Sequence, residues 1–277
     1  MCHHCVIESV KERMLSRRQM LVGGAAGVAA VAVAGGSVSS SVAASHGGVS
    51  STKVADMTHV ISAEFPTYFG APGFKKEQKF NFKEHGFNLF EMTVNEHTGT
   101  HIDAPLHFSK DGNSVDEIPV ENLVAPLVVI DIKAKAAENA DAQVTPEDIK
   151  KWISANGPLP EKCCVAMNSG WDAHVGSDKF RGVDGEKKMH FPGFHVDATK
   201  MLLEESSAVG IAVDTLSLDF GMSGDFATHY AWLPTNRWGL ENIANLDNVP
   251  AKGATLIVGA PKHKGGTGGP SRVFALM

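Results

Sequence analysis

The sequence has few cysteines, and their positions exclude two common uses of that residue. Only 4 of the 277 residues are cysteine. Cys2 and Cys5 form a CxxC pair at the N-terminus, and no second ligand pair follows at zinc-finger spacing. Cys163 and Cys164 are adjacent, and vicinal cysteines rarely form a relaxed disulfide. We therefore expect neither a disulfide framework nor a zinc finger, and we interpret the adjacent pair as small core residues.

Basic tracts and long apolar runs are also missing. The formal net charge is -6 and no stretch is rich in lysine and arginine, which argues against nucleic-acid binding. The apolar run from Leu21 to Ala34 is too short and too rich in glycine for a convincing membrane span. With 43% hydrophobic and 20% charged residues, the composition fits a globular protein that acts on a small molecule.

Residues 1–45 have the layout of an export signal. Basic residues precede the apolar run, and a Ser/Ala stretch after it supplies small residues for cleavage near Ala44. Arg17 and Arg18 resemble a twin-arginine signal, which exports folded proteins. We expect a periplasmic or exported protein, with residues 46–277 as one mature domain that has lost the N-terminal MCHHC. An uncleaved membrane anchor is the alternative interpretation.

Apolar runs and helix signals alternate along the mature chain. The two predicted helices cover 145–157, with Thr145 as N-cap and Gly157 after the end, and 195–207. This alternation predicts an α/β protein whose loops at the strand ends carry the chemistry. The predicted strands cover 127–132, 163–170, 209–215, 254–259 and 271–276.

The stretch HTGTHIDAPLHF, residues 97–108, concentrates histidine and aspartate. One helical face cannot hold His97, His101, Asp103 and His107, and Gly99 and Pro105 disfavour a helix. In an extended chain these odd-numbered residues share one side, and a bend at Gly99 brings His97 towards the others.

Imidazoles and a carboxylate on one short segment form a mixed nitrogen and oxygen ligand set, which suits zinc, manganese or iron. The segment therefore predicts a metal site. Ordinary, partly buried histidines are the alternative. Farther along the chain, His229 and Glu241 are weaker candidates, since a surface histidine and a helical glutamate explain them equally well.

The motif resembles the HxGTHxDxPxHF signature of the cyclase family, metal-dependent hydrolases that include bacterial kynurenine formamidase and isatin hydrolase. The resemblance continues through DMTHVIS, NSGWD, VGIAVDTLSLD and the closing LENIANLDNVP segment. It implies an α/β fold with a mixed, barrel-like sheet, the swivelling β/β/α domain of this family.

The resemblance also implies roles for individual residues. His97, His101 and Asp103 match the ligands of a first metal, and Asp103 is placed to bridge to a second metal held by His229 and Glu241. Zinc or manganese is expected, as one or two ions. His107 matches the catalytic histidine. Tyr68 falls where kynurenine formamidases commonly have a substrate-packing tryptophan.

The expected function is hydrolysis of an amide, either an N-formyl aryl amide or an isatin-like cyclic amide, by metal-activated water with His107 as base. The alternatives are a periplasmic metal- or ligand-binding protein without catalysis, and a metal-dependent lyase or dehydratase. Neither Ser109 nor Ser217 has a nucleophile-elbow context. We expect the glycine-rich KGGTGGPS to form a flexible turn. The expected partners are a small-molecule amide, the twin-arginine machinery and further copies of the chain in a homo-oligomer.

Overall fold

The computed structural model describes residues 53–277. The export signal predicted for residues 1–45 lies outside the described residues. Within 53–277, no helix is both long enough and apolar enough to cross a membrane. The strands are β1 (Val54–Asp56), β2 (Phe74–Phe80), β3 (Leu89–Val94), β4 (His101–Asp103), β5 (Val124–Asp131), β6 (Gln143–Val144), β7 (Cys164–Asn168), β8 (Gly193–Phe194), β9 (Gly210–Val213), β10 (Trp238–Glu241), β11 (Thr255–Gly259), β12 (Gly268–Pro270) and β13 (Arg272–Leu276). The helices are α1 (Phe82–His85), α2 (Lys133–Glu138), α3 (Pro146–Asn156), α4 (Val196–Glu205) and α5 (Ala227–Trp232).

Nine of these strands form one mixed sheet in the order β1-β13-β11-β5-β7-β9-β10-β4-β12. The four strands β5, β7, β9 and β10 run parallel, and their other neighbours in the sheet are antiparallel. Parallel strands need crossover connections. Helices α2 and α3 lie in the connection between β5 and β7, and α4 in the one between β7 and β9. The predicted α/β class with a mixed sheet is confirmed.

The central strands are buried on both faces. Leu127 of β5 belongs to one apolar cluster, and its neighbour Val128 belongs to a second. Because successive side chains of a strand point to opposite faces, the two clusters cover the two faces of the sheet. The same alternation places Cys164 in the first cluster and Cys163 in the second, and both are free and buried. Their interpretation as core residues is confirmed.

The predicted helix over 145–157 matches α3. Thr145 and Asp148 form a capping box, Pro146 is the first helical residue, and Gly157 ends the helix with φ of +84°. The second predicted helix is α4, which is shorter by a residue at the start and two at the end. Local capping signals therefore located the first helix well.

The segment Lys76–Met92 falls outside the compact unit formed by the rest of the described chain. It holds most of β2 and β3, which pair as a two-stranded hairpin. Asn81 caps the short helix α1 by accepting a hydrogen bond from the backbone N–H of Glu84. The sequence analysis did not predict this hairpin.

Candidate metal centre and substrate pocket

The histidine motif folds as a bend, a strand and a turn. The bend contains Gly99, whose φ of +68° is the left-handed conformation that glycine adopts readily, as the sequence predicted. Strand β4 follows, and then a 3-10 turn over Pro105–Phe108. The expectation that the motif's side chains share one side of an extended chain is met only by His101 and Asp103, which lie in β4. The expectation is wrong for His107, because Pro105 begins a turn and ends the extended stretch.

Strand pairing brings Glu241 to the motif. In the antiparallel register of β10 with β4, Glu241 lies opposite His101. The Nε2 of His101 is 3.3 Å from Oδ1 of Asp103 and 3.3 Å from Oε2 of Glu241. All three residues are buried. Two strands far apart in sequence thus form the base of the site.

Helix α5 supplies His229 to the same point. The Nε2 of His229 is 3.2 Å from Oε1 of Glu241 and 3.5 Å from Oδ2 of Asp103. Its Nδ1 lies 2.6 Å from Oδ2 of Asp219, which also accepts the backbone N–H of His229 at 3.1 Å. Asp219 therefore fixes the ring with Nε2 facing the two other carboxylates. The sequence analysis missed Asp219, although this residue ends the LSLD part of a quoted segment.

The polarity of this cluster fits a cation. His101 donates from Nδ1 to the carbonyl oxygen of Gly99 at 2.9 Å, which leaves its Nε2 directed at the carboxylates. Within the described chain, the Nε2 of His101 and Oδ2 of Asp103 are buried without a well-formed hydrogen bond. Buried polar atoms without partners are rare and costly. A divalent ion coordinated by these atoms would satisfy both, and an outer hydrogen bond to each histidine is typical of metal ligands.

The charges of this cluster support one another. Burial works against ionisation of each group, but the carboxylates of Asp103 and Glu241 raise the pKa of His101 to about 10. Burial likewise opposes the charge of Asp103, yet contacts with His101, His229 and His97 hold the pKa of this carboxyl well below its usual value. The carboxylates therefore remain ionised and available to a cation.

His97 and His107 form a second group that also adjoins Asp103. Nδ1 of His97 is 2.7 Å from Oδ1 of Asp103, and the rings of His97 and His107 stack with centroids 3.8 Å apart. Their ligand atoms lie within 4.8 Å of one another, as do those of His101, Asp103 and Glu241. Asp103 is common to both groups. Burial lowers the pKa of His107 to about 4, so its imidazole is neutral at neutral pH.

A cavity of about 390 Å³ opens above these side chains, a size typical of small-molecule sites. Tyr68 lies on its wall, with its ring 5.8 Å from that of Phe226. Ser217 lines the cavity. The apolar lining includes Pro66, Tyr68, Phe69, Phe108, Leu216 and Phe226.

Phe226 was not predicted as a site residue. Its φ of +51° is the left-handed conformation, which is strained for a bulky side chain. This backbone starts helix α5 and points the aromatic ring at Phe108 and His229, with centroids 5.5 and 5.8 Å away. No residue pattern in the sequence signals such a conformation.

Comparison with known proteins identifies the family of this chain. The family model described as "Putative cyclase" matches residues 55–220. The isatin hydrolase of Roseibium aggregatum is 36% identical over 195 residues, which cover 67% of this chain and 73% of that protein. The kynurenine formamidase of Salinibacter ruber is 30% identical over 192 residues, covering 69% and 81% of the two chains.

Solved structures give the same result. Isatin hydrolase A from Labrenzia aggregata, bound to benzyl benzoate, is similar with a TM-score of 0.77 and 37% identity, and the match covers 82% of this chain and 94% of that one. An isatin hydrolase bound to the product analogue thioisatinate also has a TM-score of 0.77, with 32% identity over 82% and 92% of the two chains. The chain therefore belongs to the cyclase family of hydrolases, as the resemblance of its histidine motif implied.

Proposed function

We propose that the protein is a metal-dependent hydrolase that cleaves the amide C–N bond of an aromatic or cyclic small molecule. The observation that carries this proposal is the position of the buried histidines and carboxylates at the base of an aromatic cavity. Aromatic walls accept a ring, and the polar base receives its carbonyl group. The isatin hydrolase and kynurenine formamidase relatives support hydrolysis of nonpeptide C–N bonds.

His97, His101 and Asp103 would hold a first divalent ion, and His229 and Glu241 would complete a second or expanded site that shares Asp103. Mixed imidazole and carboxylate ligands suit zinc or manganese, as one or two ions. When bound, the metal supplies activation of water at neutral pH and polarisation of the substrate carbonyl. The closeness of all these ligand atoms to Asp103 supports the assignment.

His107 acts as general base and acid in this proposal. Its ring lines the cavity and is held by stacking on His97. Within residues 53–277 no hydrogen bond of this ring is found, so its nitrogens are free to take a proton from water and return it to the leaving nitrogen. His101 and His229, by contrast, already have an outer partner on Nδ1.

The substrate is an aryl formamide or an isatin-like lactam. Tyr68 and Phe226 offer faces for a planar ring, and the hydroxyl of Tyr68 adds a hydrogen-bonding group, which burial keeps protonated by raising its pKa. The relatives named for isatin and for kynurenine derivatives both act on amides of an aromatic ring. An amide whose nitrogen is bonded to an aromatic ring is thus the shared feature of the candidate substrates.

A substrate screen tests the proposal. Purified protein reconstituted with zinc or manganese should hydrolyse N-formylkynurenine, isatin or a hydantoin-type ring, and the product should incorporate oxygen from ¹⁸O-labelled water. A His107→Ala variant carrying the same metal content serves as the control. Turnover of only an ester, a lactone or a hydroxy acid contradicts the proposal, and a product without solvent oxygen indicates a lyase.

Export and assembly are further parts of the proposal. The paired Arg17 and Arg18, the apolar run and the small residues near Ala44 support twin-arginine export of a single domain, residues 46–277. Changing both arginines to lysine should stop the appearance of processed protein in the periplasm, and unaltered processing contradicts this route. We also expect a homo-oligomer, which light scattering on the purified protein will measure.

A further inference from the structure

The glycine-rich segment KGGTGGPS is part of the metal centre's wall. We expected a flexible turn, but Gly268–Pro270 form β12, which pairs with β4 so that Gly268 lies opposite Asp103. A Cβ atom on Gly268 would lie 2.3 Å from the carbonyl oxygen of Ile102 and 2.9 Å from Cε1 of His97. Only glycine leaves room for the His97 ring against this strand.

Thr267 contacts the same ring beside this strand. Its Oγ1 lies 3.0 Å from Nε2 of His97. The Thr267 hydroxyl also donates to Oε2 of Glu96, and the backbone N–H of Thr267 donates to the same carboxylate at 3.2 Å. The other oxygen of Glu96 lies 2.6 Å from Nε2 of His263. Glu96 is therefore held in place by contacts other than the Thr267 hydroxyl.

The directions of these hydrogen bonds follow from simple counting. A carboxylate only accepts, so the single hydroxyl proton of Thr267 points to Glu96. The Thr267 oxygen must then accept from His97, which places a hydrogen on Nε2. The Asp103 carboxylate, 2.7 Å from Nδ1, also only accepts, so a neutral imidazole with one hydrogen cannot donate to both oxygens. A cation held at Nδ1 would remove this conflict, because Nδ1 would then offer its lone pair while Nε2 keeps its hydrogen on Thr267.

We infer that Glu96 and Thr267 are positioning residues that select the tautomer of His97 in which Nδ1 is the metal-binding atom. His97 then differs from His101 and His229, which present Nε2. The inference rests on the proposed metal site, because a tautomer with hydrogen on Nδ1 has no lone pair for a cation there. Outer partners of metal-bound histidines act in this way.

Substitution of Thr267 tests the first half of the inference. Thr267→Val should weaken zinc and manganese affinity, measured by titration of the metal-free protein, by about 10- to 100-fold. Thr267→Ser retains the hydroxyl and should bind metal nearly as the unaltered protein does. The matched control is Thr58→Val, because Thr58 also donates and accepts through its hydroxyl, both with the backbone of Val273. Thr58→Val should leave metal affinity unchanged.

Glu96→Gln tests the direction of the hydrogen bonds. The glutamine Oε1 can keep the contacts to His263 and the Thr267 backbone, while its NH₂ donates to the Thr267 hydroxyl. That hydroxyl must then donate to Nε2 of His97, which moves the imidazole hydrogen to Nδ1. We expect weaker metal binding although every ligand remains. In ¹⁵N spectra of the zinc-loaded unaltered protein, His97 should show a hydrogen on Nε2 and zinc on Nδ1.

Different results overturn the inference and the proposed function. The inference fails if Thr267→Val and Glu96→Gln bind metal as tightly as the unaltered protein, or if zinc is found on Nε2 of His97. The proposed function fails if the unaltered protein binds no divalent ion. In that case the inference falls with it, because without a cation the Asp103 carboxylate accepts a hydrogen from Nδ1 of His97.

Discussion

Asp103 is shared by two groups of histidines with different surroundings. His101 and His229 lie on a strand and a helix, and their side chains are 2% and 3% exposed. His97 lies in an irregular loop with its side chain 23% exposed, and His107 follows in a 3-10 turn. Both groups line the cavity, but the buried group holds charge in a fixed geometry, whereas the open group combines partial exposure with a neutral His107 ring.

The pKa values of the histidines in the two groups shift in opposite directions. In the buried group, burial alone would lower the pKa of His229, but Asp103, Asp219 and Glu241 raise it well above its usual value. In the open group, the burial of the His107 ring outweighs the effect of the nearby carboxylates and lowers the pKa of this residue. Charges of opposite sign therefore stabilise one another in the buried group, and the open group retains a neutral imidazole at His107.

Removal of Asp103 should have the largest effect, because this residue contacts both groups. Asp103→Ala removes the proposed shared ligand and leaves His101 and His229 without one of their carboxylates. Metal affinity should fall by more than the roughly 100-fold that loss of an outer partner causes. Elemental analysis should show lower total metal in Asp103→Ala than in Glu241→Ala. Full metal content in Asp103→Ala would remove this residue from the ligand set.

His107→Ala removes one imidazole of the open group and leaves the buried group unaltered. Its turnover should fall by about 10²- to 10⁴-fold, since that is the usual contribution of general acid and base catalysis. Metal content and the thermal midpoint should remain close to those of the unaltered protein. The measurements are kcat on the substrate found in the screen and elemental analysis. Loss of the metal from this variant would instead identify His107 as a ligand.

Asp219→Asn should weaken metal binding by the buried group, because Asp219 contacts Nδ1 of His229. The negative charge next to Nδ1 of His229 is lost. Metal affinity should therefore fall by about 10-fold, the lower end of the range that loss of an outer partner causes. Asp225→Asn is the matched control, because it removes the same charge nearby, and within residues 53–277 the Asp225 carboxylate accepts a hydrogen bond only from the Ser223 hydroxyl. Equal metal affinity in the two variants, measured by titration, contradicts a role for Asp219 in orienting His229.

Substitution of Tyr68 should have the smallest effect on activity. Tyr68→Ala should raise KM about 2- to 10-fold with a smaller change in kcat, because an aromatic contact of about 0.5–1.5 kcal/mol on a nonreacting ring contributes alike to ground and transition states. Tyr68→Phe keeps the ring and separates packing from the hydroxyl. Steady-state kinetics decide the matter. A fall in kcat with unchanged KM would place Tyr68 in the chemistry instead.

Much of the fold was readable because its signals are local. The capping box and Pro146 located helix α3, and apolar runs located the buried strands to within a few residues. The histidine motif identified the family, because its residue types and spacing recur as one short segment. The expected extended geometry is wrong from Pro105 onward, because the fixed φ of this proline suits the first position of the 3-10 turn.

The sequence by itself determined the ligand types, the central strands, the first helix and the family. Only the tertiary structure decided which atoms meet. Strand register placed Glu241 opposite His101, a strained Phe226 turned an aromatic ring into the cavity, and Thr267 came to lie beside His97. These contacts join residues distant in the chain, and their geometry depends on the pairing and packing of the whole sheet. A one-dimensional pattern does not encode such distances locally.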